Sequence, residues 1–132
     1  DEVNASSYFS ADDFVYKTAN VIDNNLKTWW STKRNDFSSN WLQVTFNASE
    51  AIRGIEIHGG SHYPDYPNYG DIYSKNHRVK TAVLEFSDSI SETMQEFKFS
   101  PRNTRYVILK IKTWYPTEKW KDLCVSHFKV FK

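Results

Sequence analysis

Residues 58–80 (HGGSHYPDYPNYGDIYSKNHRVK) hold the side chains best suited to chemistry in this sequence. The stretch contains four tyrosines and three histidines, with cationic groups near its end and few aliphatic residues to bury. Tyrosine offers a flat apolar ring with a polar tip, and arginine or lysine adds charge-assisted hydrogen bonds. This combination suits the apolar faces and hydroxyl rims of sugar rings. The candidate ligand-binding residues here are His62, Tyr63, Tyr66, Tyr69, Lys75, His77 and Arg78, and we expect Lys75 and His77 to be exposed.

Two further segments add aromatic and cationic side chains to these candidates. Lys33 and Arg34 lie in a turn region between tryptophans, and Trp114, Tyr115 and Lys119 form an aromatic and basic loop after a predicted strand. Together with the cations of residues 58–80, they predict a local basic rim in a nearly neutral protein. Such a rim favours an acidic polysaccharide over a neutral galactoside.

The sequence contains no pattern that predicts catalysis. His58 and His62 are four residues apart, but they flank a Gly-Gly-Ser segment and do not lie on a helix, so no zinc-protease motif is present. Cys124 and His127 are three residues apart on a predicted strand, where their side chains point to opposite faces. We therefore predict that Cys124 is a small buried residue and that the protein is not an enzyme.

Length and composition predict one domain that spans residues 1–132. The net charge of +1 provides no global field to attract nucleic acid or a membrane surface. Cys124 is the single cysteine, so no internal disulfide can form, and no apolar run approaches the roughly 20 residues that span a bilayer. Because the chain starts at Asp1, we expect a processed chain or an excised module.

Hydrophobic periodicity predicts a chain built from strands. The alternation of apolar and polar residues, or enrichment in β-branched and aromatic residues, predicts strands at residues 41–46, 52–58, 79–86, 105–112 and 125–131. The best helical candidate, residues 12–19, is short. Several strands joined by turn-rich loops indicate an all-β sandwich or barrel, with residues 58–80 forming a long connection between strands.

Six short motifs, in order along the chain, resemble discoidin (coagulation factor 5/8 type C) domains. Two of them, residues 76–80 and 120–126, resemble a bacterial glycan-binding subgroup of that family. The motifs are residues 20–29 (NVIDNNLKTW), 41–46 (WLQVTF), 52–57 (IRGIEI), 76–80 (NHRVK), 105–107 (RYV) and 120–126 (WKDLCVS). The resemblance implies an eight-stranded jelly-roll β-sandwich that binds ligands with loops at one end. Bacterial members are mostly family 32 carbohydrate-binding modules. Trp29 and Trp120 match core positions of the family.

The resemblance also implies a structural calcium site that includes Asp23 and Thr28. In this sequence Asn24 replaces the family's glycine and His127 replaces its glutamate. Asn tolerates left-handed backbone angles, but an imidazole is a poor ligand for a hard cation that takes about 6–8 oxygens. We therefore expect that no cofactor is required, and calcium at Asp23 and Thr28 stays an open alternative.

These observations predict a non-catalytic, monomeric module that binds a polysaccharide or oligosaccharide. The expected ligands are acidic polysaccharides such as polygalacturonic acid, or other galactose-configured glycans. We expect no nucleic-acid partner, no membrane insertion, and a periplasmic or secreted location in a bacterium. The alternatives are a discoidin module that binds a protein or membrane surface, and an accessory domain of a larger glycan-active or nucleotide-processing enzyme.

Overall fold

A computed structural model describes residues 2–11, 14–33, 40–61, 63–66, 68, 71–87, 91–94, 98–117 and 119–132. Within these residues the chain forms nine strands and two short 3-10 helices, Thr18–Ile22 and Tyr73–Lys75. The strands are β1 (Glu2–Ala5), β2 (Phe9–Ala11), β3 (Phe14–Tyr16), β4 (Trp30–Ser31), β5 (Asn40–Gly59), β6 (Asn76–Phe86), β7 (Ser91–Met94), β8 (Lys98–Tyr115) and β9 (Trp120–Phe131). The all-β fold predicted from the sequence is therefore confirmed.

The two halves of the long strand β5 pair with different strands. Residues 40–52 of β5 pair with β8, whereas Gly54 to Gly59 pair with β9. Strand β6 lies between β8, to which it is antiparallel, and β9, to which it is parallel. The inner faces of these strands enclose one apolar core, in which Trp30, Leu42 and Phe128 are fully buried.

The structure corrects three expectations about these elements. The two strands predicted at residues 41–46 and 52–58 are one strand, β5, with a register shift between Thr45 and Glu50. The helical candidate at residues 12–19 is wrong where it is described, because Phe14–Tyr16 forms β3 and only a 3-10 helix follows. The predicted alternation in β9 is also wrong. Residues 122–128 are all buried, because both faces of β9 are covered.

Four strand ends meet at one end of the sandwich, which we call the loop end. Gly59 at the end of β5 pairs with Val125 of β9, Asn76 at the start of β6 pairs with Trp120, and Arg78 pairs with Tyr115 at the end of β8. The described residues that connect these strand ends, 60–61, 63–66, 68, 71–75, 116–117 and 119, therefore lie together at this end. Most of the side chains proposed above as ligand-binding residues belong to these connections or to the adjoining strand ends.

Candidate functional site

A buried polar network anchors the loop end to the strands. The carboxylate of Asp122, 5% exposed, accepts hydrogen bonds from Ser31 Oγ at 2.5 Å and from Asn76 Nδ2 at 3.1 Å. Asn76 Oδ1 in turn accepts a hydrogen bond from Ser61 Oγ at 3.0 Å. Buried polar groups are costly unless they are paired, so these bonds specify one position for the connection that starts at Ser61.

A cluster of aromatic rings covers the outer side of this anchor. Trp29, Ile72 and Cys124 form its buried centre, and Tyr16, Tyr63, Tyr66 and Trp120 pack against them half-buried. The rings of Tyr16 and Trp29 stack with centroids 5.3 Å apart, whereas Tyr63 and Tyr66 meet edge to face at 5.4 Å. Aromatic pairs in these geometries stabilise each other beyond the area they bury. The predicted burial of Trp29 and Cys124 is confirmed, and Trp120 is half-buried.

An open groove of about 240 Å³ runs along the outer edge of this cluster. We call it the tyrosine groove. Its lining residues are Val15, Tyr16, Asn20, Lys27, Thr28, Trp29, Tyr63 and Tyr66. The ammonium of Lys27 lies 5.5 Å from the centroid of the Tyr63 ring, and Val15 is 53% exposed on the opposite hairpin. The groove therefore combines flat apolar rings, hydroxyl groups and one cation, the set of groups that a sugar ring requires.

The hydroxyl groups of Tyr16 and Tyr66 lie 3.3 Å apart in the groove. Burial raises the pKa of Tyr16 well above its usual range, and the hydrogen bond with Tyr66 raises it further. Tyr16 therefore keeps its proton at any physiological pH. Phenol hydroxyl groups can donate and accept hydrogen bonds, as the hydroxyls of a saccharide also do.

A second group of side chains surrounds Arg78, and we call it the arginine cluster. The guanidinium of Arg78 lies 4.7 Å from the centroid of the Tyr73 ring and 5.4 Å from that of Tyr115. The ammonium of Lys80 lies 5.7 Å from the Tyr115 ring. Gly60 lies beneath the cluster with a positive φ of 85°, and a Cβ there would come within 2.9 Å of the Tyr73 ring. The backbone at Gly60 thus requires glycine.

His77 and Trp114 were expected to contact a ligand, but both pack against other side chains of the protein. The expectation that His77 is exposed is wrong, because it is 4% exposed and its ring stacks on Trp114 at 6.1 Å. Its Nε2 atom lies 3.4 Å from the carbonyl oxygen of Thr117. Burial lowers the pKa of His77, although the Thr117 carbonyl opposes that shift. Trp114 packs against the main core. Both side chains support the loop end from within.

Three further predicted ligand-binding residues that the structure describes, Lys33, Lys75 and Lys119, do not line the tyrosine groove. Lys119 places its ammonium 5.9 Å from the Trp120 ring, next to the aromatic cluster. Lys75 ends the second 3-10 helix, and its carbonyl accepts a 3.4 Å hydrogen bond from Thr117 Oγ1. Lys33 is exposed at the end of the turn after β4, outside the groove lining. The predicted residues Arg34, His62 and Tyr69 lie outside the described residues.

Hydrogen bonds within the protein hold the turn at Asp23. Asp23 accepts hydrogen bonds from the backbone N–H of Asn25 at 2.8 Å and from the hydroxyl of Thr28. Asn24 occupies the left-handed region with φ 59°. His127 Nε2 lies 3.4 Å from Glu56 Oε1, and burial lowers the pKa of His127 although Glu56 opposes that shift. Position 127 therefore supplies an imidazole in place of a carboxylate, which is a poor ligand for calcium, and calcium at Asp23 and Thr28 stays an open alternative.

The sequence did not predict four of the candidate binding residues, namely Tyr16, Lys27, Tyr73 and Lys80. Tyr16 and Lys27 are distant in sequence from residues 58–80, and only the three-dimensional fold brings them to Tyr63 and Tyr66. The turn signal at residues 23–25 indicates a loop tip and could have drawn attention to Lys27. Tyr73 and Lys80 lie within residues 58–80, but no local sequence pattern indicates that they surround Arg78.

The described residues show no arrangement that indicates catalysis. Cys124 is fully buried, and burial, followed by the neighbouring Asp122 carboxylate, raises the pKa of its thiol, so the thiol is unreactive. Among the described residues, no group of three or more histidine, cysteine, aspartate or glutamate side chains is arranged to hold a metal ion. The described part of the chain also has no helix that is both long and apolar enough to cross a membrane.

Comparisons with known proteins show the family of this chain and other proteins with the same fold. Residues 2–124 match the family model described as F5/8 type C domain. A search of curated proteins finds no match. Solved structures give many matches, and three of them illustrate the range.

The three solved structures share the fold at low sequence identity. A pectin-binding carbohydrate-binding module is 16% identical with a TM-score of 0.64, and the match covers 98% of this chain and 88% of that one. The family 32 module of NanJ from C. perfringens, in complex with galactose, is 14% identical with a TM-score of 0.64, covering 99% and 93%. A GH29 fucosidase from Ruminococcus gnavus is 17% identical with a TM-score of 0.68, covering 98% of this chain but 25% of the enzyme.

Proposed function

This chain belongs to the F5/8 type C domain family, and from that premise we propose that it is a non-catalytic carbohydrate-binding domain. The tyrosine groove is the proposed site. The main observation that supports the tyrosine groove as the binding site is the arrangement of Tyr63 and Tyr66, whose rings meet at an interplanar angle of 88° beside Lys27. One ring can then stack on the apolar face of a sugar while the other borders its edge, and the adjacent polar groups meet the hydroxyls.

An acidic polysaccharide, such as polygalacturonic acid, is the preferred ligand in this proposal. Lys27 borders the groove, and Lys119 lies over Trp120 in the same aromatic cluster. A uronate carboxylate would gain charge-assisted hydrogen bonds from these ammonium groups that a neutral galactoside lacks. The pectin-binding module with the same fold supports an acidic ligand, whereas the galactose-bound module supports a neutral one of galactose configuration.

Each site is expected to bind one ligand segment weakly. The groove is open and only part of each ring is covered, so little free energy remains after desolvation and side-chain ordering. A polymer with many equivalent segments compensates through rebinding and multivalency. Such a ligand is encountered outside the cytoplasm, and a secreted or periplasmic location forms part of the proposal.

Exposed apolar side chains near the groove favour one alternative function. Val15 is 53% exposed, Leu26 is 40% exposed, and Lys27 lies beside Leu26 in the sequence. Apolar groups next to a cation also suit a protein or membrane surface. A further alternative, an accessory domain in a larger enzyme, is supported by the fucosidase that contains this fold as a quarter of its length.

Affinity electrophoresis tests the proposal directly. The protein is run through native gels that contain polygalacturonate, alginate, galactan or no polysaccharide. We expect retardation in the acidic gels, partial relief by salt, and weaker retardation in galactan. Retardation by galactan alone would retain the carbohydrate-binding function and contradict the acidic preference. Unchanged mobility in every gel, together with binding to anionic vesicles, would favour the membrane-surface alternative.

A further inference from the structure

The arginine cluster contains a buried donor that lacks a partner. Arg78 Nε is fully enclosed and forms no hydrogen bond among the described residues. Neither Arg78 nor Lys80 takes part in an ion pair between described side chains. Nearly all buried polar groups in folded proteins are paired, so an unpaired nitrogen on a charged group indicates a missing acceptor.

The surroundings hold the Arg78 side chain in a defined position. Its Cγ lies 3.1 Å from where a Cβ on Gly60 would be, so its aliphatic stem packs closely against the glycine backbone. The rings of Tyr73 and Tyr115 flank the guanidinium at 4.7 and 5.4 Å. An arginine positioned in this way loses little conformational entropy when it binds a ligand.

The two cations of the cluster converge on one exposed ring. Tyr115 is 47% exposed, and both Arg78 and Lys80 approach it within 5.7 Å of its centroid. Two cations beside the same ring raise the local positive potential, which favours an anion next to them. Because Tyr115 is the more exposed of the two tyrosines, we expect its ring to move aside when an anion reaches the enclosed Nε atom.

We propose that the arginine cluster is a second binding site, specific for a planar or tetrahedral oxyanion such as a carboxylate or sulfate group. The fork of Arg78 holds two oxygens of the anion, and Lys80 adds a point charge. This site is distinct from the tyrosine groove, although the two adjoin. Ile72 packs in the aromatic cluster, and the next residue, Tyr73, packs on Arg78. If the proposed carbohydrate function holds, on which this step rests, an acidic oligosaccharide reaches both sites.

The arginine Nε–Hε signals in a nitrogen-15 correlation spectrum test the second site. Three probes are titrated separately: sodium sulfate, digalacturonate, and a neutral galactobiose, at constant ionic strength set with chloride. We expect the Arg78 signal to shift with the two anionic probes and to remain in place with galactobiose. The signals of Arg53 and Arg105, both exposed, serve as internal controls and should move little.

A pair of matched variants gives the corresponding affinities. We expect Arg78→Lys to lower the affinity for digalacturonate about tenfold, because the ammonium keeps the charge but loses the fork. Arg105→Lys should leave the affinity unchanged. An Arg78 signal that both anions leave in place, or equal shifts at all three arginines, would overturn the second site. If digalacturonate shifts no signal of Tyr63 or Tyr66 while sulfate still shifts the Arg78 signal, the carbohydrate function is contradicted and the anion site is not.

Discussion

Two layers at the loop end are built on opposite physical principles. Beneath the connection of residues 60–75, the side chains of Ser31, Asp122 and Asn76 form a buried and mutually paired polar network. The connection itself carries the upper layer, in which the half-buried rings of Tyr63 and Tyr66 meet edge to face and line the tyrosine groove. Hydrogen bonds in the lower layer are directional, whereas ring packing in the upper layer is less so.

This difference separates positioning from binding. A buried network of charged and neutral partners is satisfied in one arrangement only, so it fixes the backbone at Ser61 and Asn76. Half-buried rings keep some apolar surface for a ligand and can adjust to its shape. Substitutions in the lower layer should therefore reduce stability, and substitutions in the upper layer should reduce binding more than stability.

The largest effect is expected from Asp122→Ala. This substitution leaves Asn76 Nδ2 buried without its acceptor, and it leaves Ser31 Oγ with only the 3.3 Å hydrogen bond to the carbonyl of Thr32. We expect the free energy of unfolding to fall by about 3 kcal/mol, measured by urea denaturation. Asp65→Ala, at an exposed position in the same connection, is the matched control and should change stability little. Equal stability of the two variants would contradict the anchoring role of the network.

Tyr66→Ala tests the upper layer. Tyr66 contacts Trp29, Tyr63 and Trp120 and lines the groove. We expect the affinity for oligogalacturonate to fall about tenfold in calorimetric titration, because one wall of the groove is lost. Tyr66→Phe keeps the ring and loses only the hydroxyl, so it should bind within about threefold of the wild type. If Tyr66→Ala binds normally, Tyr66 is a structural residue.

Acid should weaken the fold through two buried imidazoles. Burial lowers the pKa of both His77 and His127 in the folded state, so the unfolded chain binds protons more readily. The contribution of the two neutral histidines to the free energy of unfolding should therefore be fully present above the ordinary histidine pKa of about 6.5. It should be lost as the pH falls through their lowered folded-state pKa values. Urea midpoints between pH 5 and 8 measure this slope. The double variant His77→Gln/His127→Gln should show a flatter slope, and an unchanged slope would contradict this explanation.

The smallest effect is expected from Lys27→Gln. Lys27 lies at the rim of the groove beside Tyr63, where solvent screens its charge. We expect affinity for an acidic oligosaccharide to fall about two- to fivefold at low salt and to match the wild type at high salt. Lys112→Gln, an exposed position on β8, removes the same charge elsewhere. A similar loss in both variants would indicate a general charge effect instead of a local contact.

The sequence predicted the fold well because strand periodicity and the family motifs are local signals. The apolar positions of residues 41–46 and 105–112 lie in the core as their alternation predicted. Tyr63 and Tyr66 were predicted as site residues because tyrosine-rich connections between strands are conspicuous. Both line the tyrosine groove, and their role in binding stays a prediction.

The rest of the site depends on contacts between distant segments. His77 is buried because the 116–119 connection and Trp114 cover it, which no local pattern indicates. Tyr16 and Lys27 reach the groove only because β3 and the Asp23 turn fold against residues 63–66. The pairing of Asp122 with Ser31 and Asn76 joins three segments, and a sequence motif in any one of them cannot predict it.

Chemical-shift mapping with oligogalacturonate tests the central claim, that the tyrosine groove is the saccharide site, most directly. A nitrogen-15-labelled sample is titrated and the amide and indole signals are followed. We predict the largest shifts at Lys27, Tyr63, Tyr66 and the indole of Trp29. A separate cavity is lined by Ile22, Phe46 and Val130 among other residues, and shifts confined to that cavity would contradict the claim.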